Sequence, residues 1–269
     1  KKIRVLDYKK INQYKIDNKS INLININYNQ ERPFEKISSK SNNFIYQSFM
    51  LAFKIIRKYK SINLINGPIV KRTFLQKKYL GITEFISKKF KIKNNAMLIY
   101  NKNLSVCPIT THLPLKSVTK KITKKEIYEK TKLINDFYKM NLKKKPKIAI
   151  LGLNPHCEST HKYNEDEKII KPATKFLFKK GFNIYGPYPS DTFFIKKNRD
   201  DFDVVLGMYH DQVLTPVKTL FEYDAINITL GLPFIRISPD HGPNEQMIGK
   251  NLSNPLSLIR AISFLDKNW

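Results

Sequence analysis

The sequence predicts an α/β chain built on a largely parallel sheet. Three observations carry that expectation. Residues 147–151 (Lys-Ile-Ala-Ile-Leu) and 202–208 (Phe-Asp-Val-Val-Leu-Gly-Met) are short apolar runs that read as strands buried on both faces. Helical periodicity fills 124–142 and 171–180 around them. Strand and helix therefore alternate, the pattern that builds parallel sheets.

In chain order, 21–27 (Ile-Asn-Leu-Ile-Asn-Ile-Asn) alternates loosely and predicts a strand. Phe44, Phe49, Phe53 and Ile56 recur at helical spacing, so 43–60 is expected to be an amphipathic helix. A short strand at 62–65 runs into a turn at Asn66-Gly67-Pro68, and 96–100 is another apolar stretch. Ile127, Ile134, Phe137 and Tyr138 give 124–142 its helical stripe. Strand 147–151 closes at Gly152-Leu153-Asn154-Pro155, and Gly181 sits where a helix over 171–180 needs its terminating glycine. Strands at 202–208 and 226–229 follow. Asn254 as N-cap with Pro255 behind it opens a last helix carrying Leu258, Ile259, Ile262 and Leu265.

The 269 residues are 41% apolar, slightly below the roughly 45–50% usual for globular domains. With 17 Phe and 14 Tyr the chain can still fill a core, which excludes a wholly disordered protein. No run reaches the ~18–20 apolar residues of a membrane span, and no secretory signal is visible. Two cysteines, Cys107 and Cys157, are too few for a disulfide scaffold, so a cytoplasmic protein is expected.

The formal charge of +27 first suggests a polyanion partner. Residues 1–134 hold 30 basic and 7 acidic residues, hence +23, against 19 and 15 in 135–269, hence +4. The lysines of the basic half lie in scattered pairs such as Lys88-Lys89 and Lys124-Lys125, amid the Asn and Ile of A/T-rich codons. No nucleic-acid-binding module accompanies them, and a nucleic-acid partner is not expected.

All five histidines, His112, His156, His161, His210 and His241, fall between 112 and 241. His156 and His210 directly follow predicted strands, where open parallel sheets place their ligand crevice. Three neutral imidazoles with an open position form a catalytic metal arrangement. Taken singly, each reads first as a loop or capping residue. Lys218 and Arg236 are isolated cations in a nearly neutral half and suit a phosphate or carboxylate, although on position alone ordinary solvated charge is the first reading. Ser190 or Asp191 caps a helix, or Asp191 serves as an acid–base or metal-shell group, and Cys157 reads as a passive small residue. Neither common nucleotide-binding glycine loop is present.

Five segments together carry a specific resemblance. They are Thr110-Thr111-His112-Leu113-Pro114-Leu115, Gly152-Leu153-Asn154-Pro155-His156, Gly186-Pro187-Tyr188-Pro189-Ser190-Asp191-Thr192, Met208-Tyr209-His210-Asp211-Gln212, and the run from Asn227 to Arg236 (Asn-Ile-Thr-Leu-Gly-Leu-Pro-Phe-Ile-Arg). In order and spacing, about residues 20–265 resemble the 4-hydroxythreonine-4-phosphate dehydrogenase family of vitamin B6 biosynthesis. The resemblance implies a two-subdomain fold of the isocitrate/isopropylmalate dehydrogenase type, its subdomains interleaved along one chain, working as a homodimer. It implies divalent-metal ligands (zinc, magnesium or cobalt) at His112, His156 and His210, one donated across the dimer interface. Substrate contacts map to Thr83, Lys218, Asn227 and Arg236. The implied reaction is NAD- or NADP-linked oxidation of a secondary alcohol on 4-phosphohydroxy-L-threonine, followed by loss of CO2, giving 3-amino-2-oxopropyl phosphate.

The chain departs from the family pattern in places. Gly81-Ile82-Thr83-Glu84 carries isoleucine where the family has a substrate-contacting histidine, and Gly67-Pro68-Ile69-Val70-Lys71 lacks a second histidine. After His156 the usual glycine-rich stretch is shortened to Cys157-Glu158-Ser159-Thr160-His161. The family's glycine-rich N-terminal loop is absent and the chain begins without Met, so an N-terminal segment is expected to be missing. These departures leave two alternatives: a related oxidative decarboxylase for another phosphorylated hydroxy acid, or a degenerate remnant without activity.

Overall fold

The computed structural model describes residues 2–17, 19–59, 62–76, 78–160 and 162–267. The chain divides into two compact units, Lys1–Lys60 and Ser61–Trp269. In the first unit, strands β1 (Lys2–Val5) and β2 (Ser20–Leu23) pair in parallel, Ile3 opposite Ile21. The predicted strand over 21–27 therefore stops at Leu23, before its last asparagines. The helix Asn42–Lys58 follows the predicted periodicity and buries Phe49, Phe53 and Ile56.

The second unit is organised by one eight-stranded sheet in the order β3-β10-β9-β4-β5-β8-β6-β7. Its strands are β3 (Leu64–Ile65), β4 (Ala96–Tyr100), β5 (Ser105–Thr110), β6 (Ile148–Leu151), β7 (Ile184–Tyr188), β8 (Val204–Tyr209), β9 (Ile226–Leu230) and β10 (Arg236–Pro239). Neighbours β5, β8, β6 and β7 run parallel, as does β10 with β3, while β9 is antiparallel to both its neighbours and β4 is antiparallel to β5. The expected α/β, mostly parallel architecture is the one observed.

Apolar layers cover both faces. Leu98, Ile109, Ile150 and Leu206 pack on one face with the helices Lys124–Asn141 and Lys171–Lys179, whose buried side chains include Ile127, Ile134 and Leu177. Ile99, Val106, Ala149 and Val205 point to the other face, against Val213 and Val217 of the helix His210–Phe221. Alternation within each strand thus feeds two cores at once. Three strands of this sheet escaped the sequence pattern, as β1 did in the first unit. β5 holds Pro108, β7 holds Gly186 and Pro187, and β10 opens on the charged Arg236.

Two helix ends match their capping residues. Gly181 sits at φ +86° after the helix Lys171–Lys179, and Asn254 Oδ1 accepts a hydrogen bond from Leu256 N at 2.9 Å. Of the four apolar residues named for the last helix, Leu256–Lys267, Leu265 packs partly buried against the core. Ala261 and Phe264 are buried with Ser257, whereas Leu258, Ile259 and Ile262 are exposed. Ser257 decides this. Its hydroxyl donates to Ala225 O and accepts from Asp240 N at 2.8 Å, tying the helix to the end of β10.

Gly231, between β9 and β10, adopts φ +90°, and a Cβ there would lie 2.4 Å from Asn94 O. Replacing it with alanine combines an unfavourable backbone region with a backbone clash. Gly231→Ala is expected to cost about 1–3 kcal/mol, read as a lowered urea midpoint.

Candidate active site

The sequence's candidate residues meet where the theory of open sheets puts a ligand, beyond the carboxyl ends of central strands. β5 and β8 pair in parallel with Thr110 opposite Tyr209. His112 lies two residues past the end of β5, and His210 is the first residue of the helix after β8. Their rings come within 5.8 Å, centroid to centroid. Both line a cleft of about 840 Å³, which is also lined by Thr83, Lys218, Asn227 and Arg236. Every expected substrate contact therefore faces the same cavity as two of the three expected ligands.

His156 is placed elsewhere. It stands exposed on the turn Pro155–Cys157, with φ +57°, and is not part of the cleft wall. His161 lies outside the described residues. Among the described residues, no three His, Cys, Asp or Glu side chains gather closely enough to hold a metal ion.

The turn carrying His156 is nevertheless firmly built. Asp166, fully buried, accepts from Leu153 N (2.8 Å), Asn154 N (3.0 Å) and Asn154 Nδ2 (2.8 Å). Gln212 donates to Gly152 O and to Ser190 Oγ, both at 2.7 Å, and accepts from Met208 N at 2.7 Å. One amide thereby locks the ends of β6 and β8 to the helix Ser190–Phe193. Gly152 is needed because a Cβ would meet Cys157 Sγ at 2.6 Å. Cys157 itself is buried and its thiol is pushed up to about 11, chiefly by that burial, so it stays protonated and unreactive at neutral pH. Ser190 is used structurally, and Asp191 is exposed beside it.

The cations of the cleft differ in their surroundings. Arg236 is 3% exposed, yet its partners are neutral: Nε donates to Asn66 Oδ1 (2.7 Å) and Nη1 to Thr229 Oγ1 (3.1 Å). Burial pushes its guanidinium down to about 10, against a weaker opposing pull from the Glu84 carboxylate. A buried charge without a counter-ion is costly, and an incoming anion would relieve it. Lys218 Nζ lies 2.5 Å from Asp240 Oδ2 and also donates to the Asp240 carbonyl. Burial raises the Asp240 carboxyl while Lys218 pulls it back down. Asn227 Oδ1 is buried with no hydrogen-bond partner among the described residues, a polar atom left for a ligand to satisfy. Thr83 Oγ1 lies 3.4 Å from Thr229 Oγ1. Beside it Ile82, 8% exposed, gives the cleft an apolar wall in place of an imidazole.

The two imidazoles have defined tautomers. Asp211 Oδ1 accepts from His210 Nδ1 at 2.6 Å, which leaves the His210 Nε2 lone pair available. Lys71 Nζ lies 3.2 Å from His112 Nε2, an ammonium donating to that lone pair. Partial burial, and then the positive charge of Lys71, hold the His112 imidazole below its ordinary 6.5. Lys71 and Asp240 were not singled out from the sequence, yet both line the cleft, as does His241. Lys71 was visible only as the last residue of a turn segment quoted for its missing histidine.

Fold and site together define an α/β protein whose main cleft opens beyond the carboxyl ends of its central strands. The chain belongs to the family of the pyridoxal phosphate biosynthetic protein PdxA, whose model matches residues 2–265. It is 44% identical over 215 residues to a 4-hydroxythreonine-4-phosphate dehydrogenase from a Sulfurihydrogenibium species, covering 78% of this chain and 66% of that protein. The chain spans less than two thirds of the length of the first such relatives, between 58% and 66%. A solved structure of the Klebsiella pneumoniae 4-hydroxythreonine-4-phosphate dehydrogenase superimposes with a TM-score of 0.81 at 27% identity, over 99% of this chain and 82% of that one. A Methylococcus capsulatus isocitrate dehydrogenase shares the fold more distantly, with a TM-score of 0.50 at 11% identity over 80% of this chain and 70% of that one. No helix among the described residues is long and apolar enough to cross a membrane.

Between pH 6.5 and the lowered value of His112, the unfolded chain binds more protons than the folded one, so this group's contribution to stability falls as pH falls through that window. An NMR titration is expected to give His112 a midpoint below 6.5, and a midpoint above it would contradict the placement beside Lys71.

Proposed function

We propose that the chain is a metal-dependent dehydrogenase that oxidises and decarboxylates 4-phosphohydroxy-L-threonine to 3-amino-2-oxopropyl phosphate, with NAD or NADP as hydride acceptor. The observation that carries this reading is one cleft holding two converging imidazoles and a buried arginine whose direct partners among the described residues are all neutral. The family to which the chain belongs supplies the reaction class.

The donor chemistry fits a divalent cation. His112 and His210 each present an Nε2 lone pair by their tautomers, and the Asp211 carboxylate orients the second ring. In the proposed homodimer, His156 of the partner subunit would complete the set, in keeping with its exposed position on a rigid turn. When bound, the cation (zinc, magnesium or cobalt) acidifies the substrate's alcohol and steadies the negative charge left when CO2 departs. A cleft of about 840 Å³ is large for the substrate alone and leaves space for a nicotinamide ring.

The chain's own residues bind and orient. Arg236 takes an anionic group of the substrate and exchanges a desolvated, uncompensated charge for an ion pair. Lys218 offers a second charge on a flexible stem, shared with Asp240. Thr83 Oγ1 and Asn227 Oδ1 supply a hydroxyl and an acceptor for the remaining polar atoms. Ile82 excludes water but donates nothing, so the substrate's anion keeps one partner fewer than in the family pattern. That substitution favours, as a second reading, a different phosphorylated hydroxy acid as substrate.

Purified protein given 4-phosphohydroxy-L-threonine, NAD and cobalt is expected to form NADH. His112→Ala and His210→Ala should remove turnover, and Arg236→Met should lower kcat/KM by about 10²-fold, the usual scale for unpairing a buried charge. Turnover of another phosphorylated hydroxy acid alone would establish the second reading, and no turnover of any by folded protein would overturn both.

A further inference from the structure

Lys71 opens the short helix Lys71–Phe74, directly after the turn at Gly67-Pro68, and its side chain reaches into the cleft. It differs from the other two cations there. Arg236 is fixed by Asn66 and Thr229, and Lys218 by Asp240. Lys71 has no carboxylate partner among the described residues and belongs to an exposed stretch of chain. Its one polar contact in the cleft is His112 Nε2, at 3.2 Å.

That contact has a chemical consequence. A single imidazole lone pair can accept an ammonium proton or coordinate a cation, not both. His210 keeps Nε2 available because Asp211 takes its other nitrogen, so the conflict exists only at His112. Two positive charges on one lone pair also repel, which drives Lys71 away once a dication is in place. The four-carbon stem lets the ammonium swing without disturbing the backbone. The nearby wall carries Ile82 and Thr83, where the substrate's anion has an apolar neighbour and lacks a donor.

We propose that Lys71 is an exchangeable cation of the site: it occupies the His112 lone pair until a divalent metal displaces it, and then becomes an additional contact for the substrate's anionic group. The proposal rests on the reading of His112 as a metal ligand. It makes loading ordered, metal before substrate, because the substrate's third cation is released only by the metal.

The test uses the full chain and the variants Lys71→Met and Lys71→Arg, with melting midpoints matching wild type as the check on folding. Cobalt affinity is measured by calorimetry in the absence of substrate. Loss of a competing hydrogen bond and a competing charge should make Lys71→Met bind cobalt about three- to tenfold more tightly than wild type. With cobalt saturating, the same variant should show KM for 4-phosphohydroxy-L-threonine raised about tenfold or more with a smaller change in kcat, and Lys71→Arg should restore most of it. A merely structural lysine would weaken metal and substrate together, and that result overturns the proposal. Equal cobalt affinity in wild type and Lys71→Met also overturns it while leaving the metal reading intact. Wild type that binds no cobalt overturns the metal reading itself, and the exchange with it.

Discussion

The parallel pairing of β5 with β8 is the constraint on which the site depends. His112 and His210 are almost a hundred residues apart in the chain, and neither lies on a helix with the other. They meet because Thr110 is in register with Tyr209, and each strand then releases a histidine at the same sheet edge. A slip of one residue would turn every side chain of the strand to the opposite face. The two apolar layers forbid that slip: Val106 and Val205 are packed on one side, Ile109, Leu206 and Met208 on the other. Core packing therefore sets the spacing of the imidazoles.

The electrostatics follow from where each cation is held. The large positive charge of the first 134 residues is spread over exposed lysines and does not make a site. Three cations in the cleft do, because each has a different claim on an anion. Arg236 is desolvated and bound only to an amide and a hydroxyl. Lys218 is shared with the half-neutralising Asp240, and Lys71 with an imidazole. An anion entering this cleft meets two held charges, Arg236 and Lys218, and one without a carboxylate partner among the described residues, Lys71.

Legibility in the sequence tracked how far each residue's environment is set locally. The strands at 148–151 and 204–209 were plain because burial on both faces leaves an uninterrupted apolar run. β5 was not plain, because Pro108 argues against a central strand, although its missing N–H is tolerated there opposite Gly207. β10 hid behind Arg236, a charge that only the site explains. The last helix starts where its capping residues put it, but the face it buries is set by Ser257, which anchors it through two hydrogen bonds that no hydropathy pattern encodes. Within the site, motif resemblance found His112, His210, Thr83, Lys218, Asn227 and Arg236, and the fold brings all six to one cleft. Lys71 and Asp240 stayed hidden because their importance lies in what they touch, and contact across the fold has no signature in spacing.

The claim at the centre is that the paired imidazoles at the ends of β5 and β8 hold a divalent cation. Anomalous diffraction at the cobalt edge, from crystals of the protein grown with cobalt, tests it most directly. The account predicts a peak within bonding distance of His112 Nε2 and His210 Nε2, with Lys71 Nζ moved off His112. Fully occupied cobalt sites elsewhere, with Lys71 still on His112, would contradict it.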